Sequence, residues 1–533
     1  MIYNSDGSQA DVMAKVALAT TGDTVTLPAG VFTGWGYGFV AVNLSVPMNL
    51  IGAGSGSTTI VLDSSGPNGN YGTIQFMANA MVSGMTISGS SSNDVNPFAA
   101  YVGGTPNSIR ITSINYQGRT SAAYFFIGQS AGGVIDNCSI IGGAGNAELI
   151  FLRGPTDAWQ APDSFGSANA LYIENNTFGG QGYVCDVNAN ARAVVRYNTI
   201  TVPGMKIDAH GMDSNSPARS FRQIEVYRNT FTNGGAEAIA IRGAAGILFD
   251  NSAPTSDPSS TWFQLIDYGS ISPWPNYGVT NVSATSGNPT IITTSIPHGY
   301  ASGWLVYVNI VNSDPGITGF YTGSVLSPTT FSIPVNVSGS GMAVGSNWTA
   351  RERTPYDYPT YDQVGRGMDT GAVYTNLPDP MYLWNNTTAG GADWTLNWKA
   401  VDANAITLYR EQTANPSATF TMQDMIAADR DYFKQTVGVA FNGSGGVGTG
   451  TFAQMNAITP TKTGVGFWVV DQGSWNKTVP AGTAGQLYTY SGGWNLAYTP
   501  YQYPFYWVNA SGGTQFVYKR YGPHLKLRGL APA

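Results

Sequence analysis

Charge is what this sequence has least of. Asp, Glu, Lys and Arg make up 10% of its 533 residues, against roughly a quarter in an average globular protein. Long amphipathic helices need a charged face, so the shortage argues against a helical molecule. The net charge is −7 with no basic run, which excludes the clustered Lys and Arg that a nucleic acid partner requires. No apolar run reaches the ~18 residues of a membrane span, so no membrane insertion is expected. The opening residues lack a basic region followed by an apolar core, and no signal peptide is expected. A removed leader or export inside a virion would then account for an extracellular or virion-associated location. Two cysteines, Cys138 and Cys185, form no disulfide framework and read as small core residues.

What the chain does have is glycine, 67 residues of it, with 12% aromatics. Many short strands joined by tight turns fit that composition, and disorder does not. Residues 8–20 predict one short helix, with Ser8 as N-cap and Val12, Val16 and Leu18 on its apolar face. A helix there, ahead of a strand at Thr24–Leu27, would cap the open end of a stack of coils.

An internal repeat decides the fold class. IDNCSI (135–140), IENNTF (173–178), VRYNTI (195–200) and VYRNTF (226–231) share one pattern, with weaker copies at ILFDNS (247–252) and LWNNTT (383–388). Asn176, Asn198 and Asn229 fall in the same slot, where stacking would join their amides in a ladder. Each turn is followed after a nearly constant lag by a second strand: IFLRG (150–154), CDVNA (185–189), IDAHG (207–211) and IAIRG (239–243). The fold expected is all-β, a right-handed parallel β-helix (solenoid) with a short N-terminal capping helix. Residues 1–276 hold the cap and first coils, 277–345 a small inserted β module, 346–437 further coils, and 438–533 a β-rich C-terminal region with an irregular basic tail.

Strand alternation aims Ile150, Cys185, Ile207 and Ile239 inward and leaves two outward columns. One holds Phe151, Asp186, Asp208 and Ala240; the other holds Arg153, Asn188, His210 and Arg242. Carboxylates on strands about 4.8 Å apart cannot both ionise freely, so one pKa should rise. A raised carboxyl serves as general acid and its ionised neighbour as nucleophile or base. Separations of about 5–5.5 Å suit retaining glycoside hydrolysis, and about 6.5–9.5 Å inversion. A lyase route also fits, with Arg or His stabilising a substrate carboxylate and His210 removing the adjacent proton. Asp186, Asp208, His210 and Arg242 are therefore the catalytic candidates, beside the alternative that they are plain salt links on a solvated face. Arg153, Asn188, Arg219 and Arg222 are the substrate-binding candidates. Arg219, Arg222 and Glu225 either flank that face or pair elsewhere on the surface. No metal site is assigned, although the acid pair would suit Ca²⁺, which prefers oxygen ligands. Asp362 and Arg366 (YDQVGRG) read as a turn lock, with a catalytic role as the alternative. Tryptophans crowd the second half, and some could line a glycan track.

ATTGDTVTLPAGVFTGWG, the N-N-T-F turns and IDAHG…RSFRQIEVYRNTF resemble the pectate-lyase-like β-helix superfamily. IRGAAGILFDN, YPTYDQVGRG, MYLWNNT and GFWVVDQGSWN resemble, more narrowly, a largely uncharacterised group of bacterial and phage-type β-helix proteins. The 277–345 segment (PHG, PTTF) resembles small β modules spliced into phage and bacterial surface proteins. The resemblance implies a protein that cleaves or binds a surface polysaccharide, as a tailspike-like depolymerase, hydrolase or lyase. The alternative is a non-catalytic virion structural protein or adhesin. The full residue sets of pectate lyases and polygalacturonases are missing, so neither activity carries over. Tailspike likeness implies a homotrimer or a virion assembly partner, but no coiled-coil heptads mark one.

Overall fold

The computed structural model describes residues 1–36, 41–63, 72–89, 96–100, 108–118, 124–144, 148–155, 161–210, 220–232, 238–253, 263–265, 279–295, 297–298, 302, 305–311, 317–336, 343–344, 346–350, 364–367, 377–398, 423, 426–473, 485–501, 506–507, 516–521 and 524–527. They form a nearly all-β molecule dominated by large parallel sheets.

The opening helix spans Gln9–Leu18, and the Ser8 hydroxyl accepts from the Asp11 N–H as its N-cap. Val12 and Val16 are buried, whereas Leu18 is 64% exposed. At 100° per residue Leu18 lies 200° around the helix from Val16, so it cannot share that face.

Three ladders of parallel strands follow. In the largest sheet one ladder runs through Leu171–Glu174, Arg192–Arg196, Gln223–Tyr227, Ala245–Phe249 and Met381–Trp384. A second ladder in that sheet runs through Ser139–Gly142, Thr177–Gly180, Thr199–Ile200 and Thr230–Phe231. The long strands Met81–Ser88 and Ile109–Gln117 belong to both. The third ladder is a separate sheet of ten strands from Val42–Leu44 to Leu396–Trp398. The chain visits the three in turn, and inward residues of all three, such as Ile173, Phe178, Cys185 and Val187, share one core. Both cysteines are buried and free.

The corner between the first two ladders is built the same way each time. A residue with left-handed backbone, Asn175, Tyr197, Arg228, Asp250 or Asn385 (φ 51–58°), turns the chain. The next residue is a buried asparagine. Asn198 shows the pattern: its Oδ1 accepts from Asn176 N–H at 2.9 Å, and its Nδ2 donates to Ile173 O at 2.9 Å and to Asn229 Oδ1 at 3.0 Å. The ladder runs from Asn176 through Asn198, Asn229 and Asn251 to Asn386. At its upper end Asn176 Oδ1 receives the Cys138 N–H. Stacked this way, the corner amides satisfy backbone groups that the turn would otherwise bury unpaired.

Strands between Val279 and Ala350 pair antiparallel with one another around Ile292, Val308, Phe331 and Ile333. Val447–Gly450, Gly466–Val469, Gln486–Tyr490 and Trp494–Tyr498 form a further sheet. It covers the outer face of the first ladder, where Tyr227, Phe249 and Trp384 stack at 4.5 and 4.6 Å and Trp468 closes the column at 4.9 Å.

Candidate functional site

The third ladder sets the register of the candidate residues. Phe151 pairs with Asp186 and Asp186 with Asp208, which in turn faces Ala240. Arg153 pairs with Asn188, and the His210 and Arg242 N–H groups donate to Val187 O and Ala209 O one strand back. Both outward columns therefore have the order read from the sequence. Side chains converge as that register requires. His210 Nδ1 lies 3.5 Å from Asp186 Oδ1 and 3.7 Å from Asp208 Oδ2. Arg242 Nη2 donates to Asp208 Oδ2 at 2.6 Å, and Arg242 Nη1 stands 3.5 Å from His210 Nε2.

The two carboxylates are withdrawn from solvent. Asp186 and Asp208 are 4% and 3% exposed, so their attractions are screened far less than those of surface pairs. Burial disfavours the imidazolium of His210, but the hydrogen bond and charge of Asp186 and the charge of Asp208 outweigh it and raise its pKa. Loss of a proton from a neighbouring C–H to His210 is therefore confined to pH above that raised value. Among the described residues no hydrogen bond of good geometry reaches Asp186 Oδ1.

Glu148 joins the group, although the sequence reading did not include it. Burial and the Asp186 charge push its pKa up to about 7 against the pull of a hydrogen bond from Tyr124. The Tyr124 phenol is itself pushed up to about 12, first by burial and then by Glu148. Glu148 was hidden by a phase shift. Leu149 and Ile150 are both fully buried, so strict alternation counted back from Ile150 would aim Glu148 inward. Two adjacent core residues ahead of the outward column were the available signal, and Val184–Cys185 and Ala238–Ile239 repeat it.

The substrate-binding candidates separate. Arg153 is exposed beside Phe151, 5.4 Å above its ring, and Asn188 is buried in the His210 column. Arg222 does not flank this face. It precedes Gln223–Tyr227 in the first ladder, is fully buried, and ion-pairs through Nη1 with Asp163 at 2.5 Å and Asp379 at 3.0 Å. Glu225 likewise turns to the first ladder's outer side, where it accepts from Tyr498 OH at 2.6 Å. Arg219 and Asp362 lie outside the described residues. Arg366 is buried and ion-paired with Asp431 at 3.1 Å, a structural lock. Trp384, Trp394 and Trp468 are buried packing residues, which removes them from any glycan track.

One carboxylate oxygen each from Asp186 and Asp208 and a ring nitrogen of His210 lie within 4.8 Å of one another, close enough to hold a metal ion. Two carboxylates and an imidazole suit a transition ion better than Ca²⁺, which takes six to eight oxygens. The guanidinium of Arg242 supplies a positive charge against Asp208 from within the same cluster.

No family model matches this chain, and no curated protein does. Among solved structures, a PL6 family polysaccharide lyase from Pseudopedobacter saltans aligns at 12% identity over 54% of this chain and 69% of its own, with a TM-score of 0.28. ORF18 of Geobacillus virus E2 aligns at 12% identity over 67% of this chain and 79% of its own, with a TM-score of 0.25.

Proposed function

We propose that the three parallel ladders are the walls of a right-handed parallel β-helix, and that its third wall binds and cleaves a polysaccharide at the Asp186 cluster. One observation carries this reading: two buried carboxylates on adjacent strands share one histidine, with an arginine fixing the second of them. Such a group combines a proton donor and a proton acceptor on one face, the two roles that glycoside hydrolysis and β-elimination share. In this reading His210, whose protonated form the two carboxylates favour, donates to the departing glycosidic oxygen. Asp186 accepts the proton of the attacking water or of the sugar. Arg242 fixes Asp208 through its ion pair, and Asp208 in turn orients the imidazole. Glu148, with its pKa near neutrality, is a second proton carrier at the edge of the same wall.

A panel of polysaccharides tests the reading, followed for new reducing ends and for the absorbance of unsaturated uronates. Reducing ends alone mean hydrolysis, and both signals mean elimination. Asp208→Asn and His210→Ala should each lower product formation by roughly 10²–10⁴-fold. Full activity in both variants removes the site. Glycan retained by wild type without any product supports the adhesin alternative.

A further inference from the structure

Beyond the last described strands of the ladders, a cavity of about 440 Å³ opens between the coil stack and the loop leading into the C-terminal sheet. Leu396 and Tyr432, from the terminal strands of two ladders, line it together with Phe441 of that loop. It shares no lining residue with the Asp186 cluster. Its volume falls within the roughly 300–1,000 Å³ of small-molecule sites.

The loop over this cavity is fixed by its own backbone. Gly438, Gly443 and Gly446 take left-handed φ of 77, 79 and 69°. Asp429 Oδ1 accepts from Gly446 N–H at 2.5 Å, and a Cβ on Gly445 would lie 2.3 Å from Asp429 Oδ2. A cavity held open in this way loses little freedom when a ligand enters.

Charge then narrows the ligand. Asp429 lies 3.8 Å from Lys462, and Lys434 lies 3.1 Å from Asp393. The two lining charges are each matched by a neighbour outside the lining, so neither an anion nor a cation gains from the site. What remains is apolar surface at Phe441 and Val439 with the buried Tyr432 behind it, bordered by the exposed Thr436 hydroxyl and by the Asn442 amide, whose Oδ1 accepts from the Ser444 N–H and hydroxyl. Apolar faces rimmed by neutral hydrogen-bonding groups match the C–H faces and hydroxyls of an uncharged sugar ring. We propose that this cavity is a binding site for a neutral mono- or disaccharide unit, separate from the Asp186 cluster and independent of whether that cluster cleaves.

Saturation-transfer difference NMR on the full chain tests this with methyl glucoside, methyl galactoside, cellobiose, maltose and lactose at millimolar concentration, and galacturonate as the charged comparison. At least one neutral sugar should give a signal. Ala440→Trp, which fills the cavity from an exposed lining position, should weaken that signal tenfold or more, and Asn442→Ala several-fold. Asp208→Asn should retain it. Circular dichroism confirms that each variant is folded. The proposal is overturned if no neutral sugar gives a signal, if the signal survives Ala440→Trp, if Asp208→Asn abolishes it, or if galacturonate binds equally well.

Discussion

The side chains around Asp186 make stability depend on pH, and both titrating groups act in the same sense. His210 has a folded pKa above its ordinary value of 6.5. Its contribution is complete below that ordinary value and is lost as pH rises through the folded one. His210→Gln should therefore cost more at pH 6 than at pH 9, as read from urea denaturation midpoints. Glu148 is raised from 4.5 to about 7. The folded state binds its proton more tightly, so ionisation costs stability that is absent below 4.5 and accumulates up to about 7. Glu148→Gln should match wild type near pH 4 and exceed it at pH 8 by on the order of 1–3 kcal/mol. Asp186, Asp208, His210 and Arg242 were legible in sequence because strand alternation and a constant lag fix which outward residues become neighbours. Arg222 was not. Its partners Asp163 and Asp379 lie 59 and 157 residues away in sequence, and no period connects them.

Among the repeated elements, the corner explains most of the register. Asn198→Ala would strand the Asn176 N–H and the Ile173 carbonyl in a buried site. A loss of roughly 2–4 kcal/mol is expected from two unsatisfied backbone groups, measured by chemical denaturation, with the exposed Asn495→Ala as a near-neutral control. The residue before the ladder asparagine offers the opposite lever. Arg228 adopts φ 54°, a region that asparagine enters more readily than arginine. Arg228→Asn should stabilise by about 0.5 kcal/mol after loss of its surface pairing with Asp250. The ladder could be read ahead of the structure because asparagine recurs in one slot. Its extension to Asn251 and Asn386 lay in the weaker copies, where the flanking apolar pattern is less regular.

Across the whole molecule, the C-terminal sheet is bound to the parallel ladders by both packing and buried polar contacts. Trp468 ends the aromatic column, and Tyr498 donates to the buried Glu225. Trp468→Ala should cost about 3–5 kcal/mol and open 438–501 to limited proteolysis before the parallel ladders are cut. None of this docking was legible in the sequence, because the residues that meet are 273 apart and belong to elements with different periods. One consequence concerns how the chain assembles. Asn176, Asn198, Asn229 and Asn251 are joined across spacings of 22 to 31 residues, but the step from Asn251 to Asn386 spans 135. Closing a flexible loop of that length costs about 1.6 kcal/mol more than closing one of 22, so this is the costliest step of the ladder to close. Val279 pairs with Asn347, which brings the two ends of the antiparallel excursion side by side. If that excursion folds first, it removes the intervening residues from the loop and becomes a brace for the closure it would otherwise delay.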